Sequence, residues 1–278
     1  MPAYKMIALD MDGTLLTSDK RISPRTARAM RRAADAGCVV VLSTGRTASE
    51  LTDYRAEMDG VVRYGSLLSG GVVRDMETGE TIYKQTIPVE LVHRIVKQGL
   101  AEDAMVQILT SEVAVMTHRD VARMPEIGQG VYQDIALRLG CLVDDISSYV
   151  DAHAAEVCKF NLHHVSQESL EATLRALEGL PLQLAKGESI TVEVTPRGVT
   201  KALGLTWLCD HLGIGLEETI VVGDGDNDLE VLGVAGLAVA MGNAVPKAME
   251  LADAVVADND HDGIAEVVDR WLVGPSEI

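Results

Sequence analysis

Short apolar segments alternate with helix-like segments at both ends of the chain, and this alternation limits the possible folds more than any other feature. Near the N-terminus, apolar runs at 6–10 and 38–43 flank a segment that begins with Ser23-Pro24, a typical helix start. A second helix is predicted over 47–58 and a third strand over 60–64. The C-terminal part repeats the alternation, for example around the apolar run 219–223. Strands that alternate with helices form right-handed βαβ units, so the sequence predicts an α/β fold with a parallel sheet.

The middle of the chain breaks this alternation. Its strand-like segments look like hairpins mixed with helices, and none of them ends in an acidic residue. We therefore predict an α+β domain over residues 84–187, inserted into an α/β core formed by residues 1–83 and 188–278. The sequence shows no internal repeat and no low-complexity segment.

Charge and composition argue against several classes of partner. The formal net charge of −18 at pH 7 disfavours binding to nucleic acid or to an anionic membrane surface, since both require a positive face. No run of 18 apolar residues is present, and the N-terminus lacks the apolar segment of a signal peptide. The four cysteines are widely spaced, which is typical of buried thiols in a reducing compartment. We expect a cytoplasmic protein without a nucleic-acid or membrane partner.

Two acidic residues, Asp10 and Asp12, follow the first predicted strand in the segment DMDGT. Residues i and i+2 of an extended chain point the same way, so both carboxylates are presented at the carboxyl end of a strand, where open α/β sheets bind ligands. A solvated turn is the alternative interpretation. A calcium-binding loop does not fit, because the glycine and glutamate that it needs at its sixth and twelfth positions are replaced by Leu15 and Arg21.

A hydroxyl and a glycine follow the second predicted strand in the segment Ser43-Thr44-Gly45-Arg46. The Thr44 hydroxyl and the Gly45 amide suit the oxygens of a phosphate group. Capping of the next helix by a threonine is the alternative. The segment alone therefore leaves both interpretations open.

Three acidic residues, Asp224, Asp226 and Asp228, follow the apolar run 219–223. Oxygen ligands in such a cluster suit Mg²⁺. Helix capping explains one or two of these acids but not all three. Lys201, which precedes them at the start of a helix-like segment, would by itself be taken for a solvated lysine. Beside several carboxylates and a phosphate, it would balance charge and keep a nucleophile ionised.

The joint placement of these motifs decides between the interpretations. The acid pair, the hydroxyl and the acid cluster each follow a predicted parallel strand, and the carboxyl ends of such strands meet at one edge of the sheet. In this order the motifs resemble the four motifs of the haloacid dehalogenase (HAD) superfamily. The matching residues are, in chain order, Asp10 with Asp12, Thr44, Lys201, and Asp224 with Asp228.

The C-terminal segment 236–268, which contains GNAVPKAMELADAVVADNDHDG, resembles the Cof-type branch of that superfamily, and the position of the insertion resembles a C2B cap. One place departs from the Cof-type pattern. Tyr64-Gly65-Ser66 stands where such proteins often carry Asn-Gly-Ala after the third strand. This departure concerns contacts near the hinge between the core and the cap. It does not affect any of the motif residues matched above.

The resemblance implies a Rossmann-like core with a cap, and a Mg²⁺-dependent phosphatase that forms an aspartyl phosphate. It assigns Asp10 as the nucleophile and Asp12 as the acid and base. Asp10, Asp12 through its backbone carbonyl, Asp224 and, as an orienting group, Asp228 would form the metal site. The implied phosphate contacts are Thr44, Gly45, Arg46, Lys201 and Asn227.

The resemblance also implies the kind of substrate, which is a small phosphorylated metabolite and by family analogy a sugar phosphate; a phosphorylated cofactor such as flavin mononucleotide or pyridoxal phosphate is the alternative. A phosphomutase of the same superfamily would share every motif and would pass the phosphate to another hydroxyl of the substrate. A non-catalytic binding module is a third possibility. It should have lost at least one of Asp10, Asp12, Lys201 or Asp224, and all four are present.

Overall fold

Fourteen strands in two separate sheets make up the framework of the computed structural model, which describes residues 4–187 and 190–274. The strands are β1 (Met6–Leu9), β2 (Val39–Ser43), β3 (Val62–Leu67), β4 (Val72–Asp75), β5 (Thr81–Lys84), β6 (Met105–Leu109), β7 (Ala114–Thr117), β8 (Cys141–Val143), β9 (Lys159–His163), β10 (Leu182–Lys186), β11 (Thr191–Pro196), β12 (Thr219–Gly223), β13 (Leu237–Ala240) and β14 (Ala254–Val255).

The α-helices of the described residues pack on these sheets. They are α1 (Pro24–Asp35), α2 (Arg55–Met58), α3 (Val89–Ala101), α4 (His118–Arg123), α5 (Gln133–Leu139), α6 (Ile146–His153), α7 (Gln167–Leu177), α8 (Lys201–Leu212), α9 (Leu229–Leu232), α10 (Pro246–Leu251) and α11 (Gly263–Trp271). Across residues 4–187 and 190–274, none of the helices combines the length and the apolar character that a bilayer crossing would need.

The first sheet has the strand order β14-β13-β12-β1-β2-β3-β4-β5. Every pair from β14 to β3 is parallel, and β4 then runs antiparallel to β3. Strand β1 lies between β12 and β2 and is completely buried, as are most residues of its two neighbours. The predicted α/β fold with a parallel sheet is confirmed, and β1 and β12 place the two acidic motifs on adjacent strands.

The second sheet has the order β10-β11-β9-β6-β7-β8 and is antiparallel except between β7 and β8. One face carries apolar side chains, among them Val106, Phe160 and Val192, which pack with residues of α3, α6 and α7 in one buried cluster. Mixed strands and helices of this kind form the α+β architecture expected for the inserted part of the chain.

The chain divides into two compact units, one of Met1–Gly45, Asp53–Tyr83 and Thr200–Ile278, the other of Arg46–Thr52 and Lys84–Val199. The predicted insertion, 84–187, begins at the same residue as the long segment of the second unit, but it ends before Val199 and does not include Arg46–Thr52. The segment after 187 goes with the second unit because β11 pairs with both β10 and β9. The predicted boundary adjoins residues 188–189, which lie outside the described residues.

Two local predictions differ from the structure. The single helix predicted over 47–58 is a 3₁₀ segment, Ser49–Tyr54, followed by the short α2. Glu50 accepts hydrogen bonds from the amide and the hydroxyl of Thr47, at 2.7 and 2.8 Å, so these donors are satisfied by a local side chain. The third strand extends from 62 to 67 instead of 60 to 64, so Tyr64-Gly65-Ser66 lies inside β3 and not after it.

His163 on β9 is a buried titratable group in the second unit. Its Nε2 lies 3.3 Å from Oε1 of Gln107, and its Nδ1 lies 2.9 Å from Oγ1 of Thr191. Because the amide oxygen can only accept, Nε2 carries the hydrogen and Nδ1 accepts from the threonine hydroxyl. Burial lowers the pKa of His163 to about 4, and the neighbouring Glu193 offsets this only in part. The folded protein therefore keeps this imidazole neutral.

We expect the free energy of unfolding to fall as the pH decreases from about 6.5 towards 4. The unfolded chain binds a proton at this histidine in that range and the folded chain does not, which costs up to roughly 3 kcal/mol. His163→Gln should flatten this part of the pH dependence in urea unfolding followed by circular dichroism. His118→Gln changes an exposed histidine of the same unit and serves as the control. Equal slopes for the wild type and His163→Gln would contradict the expectation.

Candidate active site

The buried side chain of Lys201 links carboxylates from two different loops. Its Nζ donates to Oδ1 of Asp10 at 2.6 Å and to Oδ1 of Asp228 at 2.7 Å. Burial lowers the pKa of a lysine, but the two carboxylates outweigh burial here, so the pKa of Lys201 is raised and the ammonium stays charged. Asp10 follows β1, Asp228 follows β12, and Lys201 is the first residue of α8.

Asp10 is almost completely buried, at 7% exposed. Burial raises the pKa of its carboxyl group, the Lys201 ammonium opposes that shift, and the negative charge of Asp228 adds to it. The backbone of Asp10 continues the β1–β12 pairing, since its amide donates to the carbonyl of Val222 at 3.0 Å. The carboxylate is therefore held at the carboxyl edge of the first sheet by both main-chain and side-chain contacts.

Three carboxylates lie together at this edge. One oxygen each from Asp10, Asp224 and Asp228 lies within 4.8 Å of the other two. Burial raises the pKa of Asp224 to about 6; a hydrogen bond from Thr14 opposes this shift, and the charge of Asp228 adds to it. That hydrogen bond joins Oγ1 of Thr14 to Oδ1 of Asp224 at 2.7 Å. Three acids against one ammonium make an excess of negative charge in a mostly buried place.

Asp228 uses both of its oxygens within the protein. Oδ1 accepts from Lys201, and Oδ2 accepts from the backbone amides of Asp224 and Gly225, each at 3.0 Å. The carboxylate therefore fixes the turn after β12 as well as the lysine.

Gly13, the glycine of the DMDGT segment, allows Asp224 to approach the loop after β1. Its φ of +85° lies in the region that side chains rarely adopt, and a Cβ at this position would lie 2.4 Å from Oδ2 of Asp224. The glycine is thus required both by the backbone conformation and by the neighbouring carboxylate.

Polar side chains from the C-terminal segment hold the loop after β1. Nδ2 of Asn243 donates to the carbonyl of Gly13, and Nδ2 of Asn259 donates to the carbonyl of Leu16, both at 2.8 Å. Further along the loop, Ser18 donates its amide and hydroxyl to the carboxylate of Asp260, at 2.8 and 2.6 Å. These contacts are not predicted from the sequence, in which the segment 236–268 carries only the resemblance to the Cof-type branch. Their one signal was the density of Asn and Asp in that segment.

Thr44 is buried after β2 and is joined to a turn of unusual backbone geometry. Its carbonyl accepts from the amide of Ser69 at 2.9 Å. Leu68, Ser69 and Gly70 have φ values of +52°, +58° and +93° in succession. A Cβ on Gly70 would lie 2.0 Å from the carbonyl oxygen of Thr200, so the turn packs directly against the start of α8. It links the residue after β2 to the helix that carries the lysine.

The other residues predicted for the site are placed as follows. The carboxylate of Asp12 accepts from Nζ of Lys20 at 2.7 Å and is not part of the three-acid cluster. Gly45 is half-buried at the end of a segment of the first unit, and Arg46 begins a segment of the second. Asn227 is exposed in the 3₁₀ turn after β12. Lys20 was not predicted, because nothing in its local sequence distinguishes it from a solvated lysine.

A family model described as haloacid dehalogenase-like hydrolase matches residues 7–268. The chain belongs to this family. The match extends over nearly all of both units, and it confirms the resemblance based on the order of the motifs. Because the family model covers the C-terminal segment as well, the asparagines that hold the loop after β1 lie within the matched region.

Individual relatives support a phosphatase within this family. A Bacillus subtilis protein, 5-amino-6-(5-phospho-D-ribitylamino)uracil phosphatase YitU, is 27% identical, and the alignment covers 96% of this chain and 97% of the relative. The chain also matches an Arabidopsis thaliana protein named endoribonuclease YBEY, chloroplastic, at 26% identity over 97% of this chain. It spans about half the length of that protein, since 47% of the plant protein is covered.

A solved structure, that of the HAD subclass IIB sugar phosphatase BT4131, has the same overall fold. It superposes with a TM-score of 0.78 at 25% identity, covering 95% of this chain and 97% of that protein. Together with the family match, these comparisons identify the chain as an enzyme of the HAD family and as a phosphatase.

We expect Gly13→Ala to abolish most phosphatase activity. The added methyl group must displace the Asp224 carboxylate, which it would otherwise approach to 2.4 Å. Gly37→Ala is the matched control, since Gly37 has nearly the same φ, +86°, and no atom within 4 Å of its Cβ position. Both variants should lose about 1 kcal/mol of stability from the backbone strain, measured by thermal unfolding. Activity is measured as release of phosphate. If both variants keep it, the close approach of Gly13 to the Asp224 carboxylate is not needed for catalysis.

Proposed function

We propose that the chain hydrolyses phosphomonoesters with the help of Mg²⁺ and through an aspartyl phosphate on Asp10. The observation that carries this proposal is the buried contact of Asp10 and Asp228 with Lys201, next to the carboxylate of Asp224. Carboxylates are not buried against each other without a chemical reason, because their mutual repulsion and their desolvation both oppose ionisation.

The donor set fits a small divalent cation. Three carboxylates and one ammonium leave an excess of negative charge, and oxygen donors are the ligands that Mg²⁺ prefers. Asp10, Asp224 and the backbone carbonyl of Asp12 would hold the ion, with Asp228 orienting the ligands through its contacts to the Asp224 amide and Lys201. When bound, the cation supplies charge compensation for the phosphoryl oxygens.

The first half-reaction uses Asp10 as the nucleophile. Its carboxylate oxygen forms a bond to phosphorus as the bond between phosphorus and the leaving oxygen breaks. The ammonium of Lys201 favours the ionised carboxylate that this attack requires. The Thr44 hydroxyl and the Gly45 amide are the proposed donors to the phosphoryl oxygens, and Arg46 and Asn227 stay sequence-based predictions of further phosphate contacts.

Asp12 is the proposed acid and base. It gives a proton to the leaving alcohol, and it later takes a proton from the water that attacks the phosphorus of the aspartyl phosphate. The environments of the two acids suit this division. Asp10 is buried against Lys201, whereas the side chain of Asp12 is 26% exposed and contacts Lys20. A proton carrier needs such access to the leaving group and to water.

The substrate class that we propose is a small phosphorylated sugar or polyol. Two relatives support it by their names, the sugar phosphatase BT4131 and the phosphatase for 5-amino-6-(5-phospho-D-ribitylamino)uracil. Both names describe a phosphate on a polyhydroxylated carbon chain. The negative net charge of the chain is compatible with such an anion, since the attraction is local and depends on Lys201 and the bound cation.

We expect Asp10→Asn to eliminate turnover while the circular dichroism spectrum is unchanged. An amide cannot form the covalent phosphoryl intermediate, whereas its oxygen can still accept from Lys201. Borohydride reduction of the wild type during turnover should convert residue 10 to homoserine, detected by mass spectrometry. Asp210→Asn, at an exposed position of α8, is the control and should retain activity. Near-normal hydrolysis by Asp10→Asn would exclude the proposed mechanism.

A panel of sugar, polyol and cofactor phosphates, tested for release of inorganic phosphate, addresses the substrate and the metal together. We expect release from sugar or polyol phosphates with Mg²⁺, and a loss of at least about 100-fold in EDTA that added Mg²⁺ reverses. Isomerisation of a hexose 1-phosphate without release of phosphate would instead identify a phosphomutase. No product from any member of the panel would count against catalysis.

A further inference from the structure

We propose that Lys20 is a positioning residue that holds the carboxylate of Asp12 in the orientation needed for proton transfer. This inference rests on the proposed function, in which Asp12 is the acid and base. Nζ of Lys20 lies 2.7 Å from Oδ1 of Asp12, a charge-assisted hydrogen bond of full strength by its length. Both side chains are partly exposed, at 37% and 26%, so burial alone does not explain the contact.

The backbone at Lys20 supports a function of its side chain. Its φ is +60°, in the left-handed region that glycine and asparagine adopt at lower cost than lysine. The local turn sets this conformation, because the amide of Lys20 donates to the carbonyl of Thr17 at 2.8 Å and the amide of Thr17 donates to the carbonyl of Arg21 at 2.9 Å. A lysine at a position that suits glycine indicates that the side chain is needed.

The loop that carries Lys20 is fixed at several points between Asp12 and α1. Asp12 and Leu16 form an isolated bridge, and the carbonyl of Leu16 accepts from Asn259. Ser18 is held through two hydrogen bonds by Asp260. The chain therefore folds back on itself, and the ammonium of Lys20 reaches the carboxylate eight residues earlier from a loop that these contacts hold in place.

Orientation matters for Asp12 in a way that it does not for the buried Asp10. A partly exposed aspartate can rotate about two side-chain torsions, and only some of these rotamers place an oxygen towards the leaving group. Lys20 restricts them by binding Oδ1, which orients the carboxylate that exchanges the proton. As phosphorus forms its bond to Asp10, the bond to the leaving oxygen breaks, and that oxygen takes the proton from Asp12.

The experiment compares Lys20→Met on two substrates that differ in their need for an acid, p-nitrophenyl phosphate and phenyl phosphate. The p-nitrophenolate ion leaves without protonation, and phenolate leaves much less readily. We expect kcat/KM for phenyl phosphate to fall at least about tenfold, as part of the 10²- to 10⁴-fold that general acid catalysis supplies. For p-nitrophenyl phosphate, kcat/KM should fall by less than about threefold.

Two further variants separate the side chain from the backbone. Lys20→Asn suits the left-handed conformation, so it should fold at least as stably as the wild type and still show the selective loss. Lys20→Arg keeps a cation and should restore most of the activity towards phenyl phosphate. Lys5→Met is the matched control, since Lys5 also pairs with a carboxylate, that of Glu218 at 2.6 Å, before β1 rather than after it. It should leave both substrates unaffected.

Asp12→Asn distinguishes a failure of this inference from a failure of the proposed function. If Asp12→Asn lowers kcat/KM equally for both substrates, Asp12 is not the acid and the proposed function fails together with the inference. If Asp12→Asn shows the selective loss while Lys20→Met behaves like Lys5→Met, the role of Lys20 is wrong and the proposed function stands. An equal loss on both substrates in Lys20→Met would also overturn the inference.

Discussion

The contact of Lys201 with Asp10 and Asp228 is the interaction on which the site depends. Burying a single ion costs several kcal/mol, and the cost is offset only when opposite charges and hydrogen bonds surround it. The ammonium is almost completely buried and lies 2.6 and 2.7 Å from its two carboxylate partners. Each partner comes from a different part of the chain. The three charges compensate each other only when β1, β12 and α8 are all packed in their native positions.

Small residues allow α8 to pack closely enough for these contacts. Gly204, in the first turn of α8 after Lys201, approaches the end of β3 and the turn after it so closely that a Cβ would lie 2.3 Å from Oγ of Ser66 and 2.7 Å from the Cα of Gly70. Gly70 in turn lies against the carbonyl of Thr200. Larger side chains at either glycine would push α8 outwards and carry Lys201 away from the carboxylates. Backbone contact between the helix and the sheet edge is thus a requirement of the buried ion pairs.

Periodicity and chain order were enough to predict the parallel strands and the edge at which the acidic motifs meet. Buried runs such as 6–9 and 219–223 become parallel strands because they are apolar on both faces, and the acids that follow them meet at one edge. Contacts that bridge distant loops have no such pattern. The bond from Asn243 to the Gly13 carbonyl joins residues 230 positions apart and depends on the folded loops themselves. The predicted boundary at 187 separates β10 from β11, although the two strands pair in the structure. The local composition of a strand does not specify its pairing partner, so this contact was not predicted.

Two aspartates two positions apart reach different environments, and two lysines account for the difference. Asp10 is buried and contacts Lys201 from α8, whereas Asp12 is partly exposed and contacts Lys20 from its own loop. Under the proposed function, Lys201 favours the ionised form of the nucleophile against the effect of its burial, and the second environment leaves a carboxylate able to exchange protons with solvent. The two functions then require different supports. A helix packed on the sheet holds the nucleophile, and a loop fixed by Asn259 and Asp260 holds the acid, so a change in either support should impair one half of the chemistry more than the other.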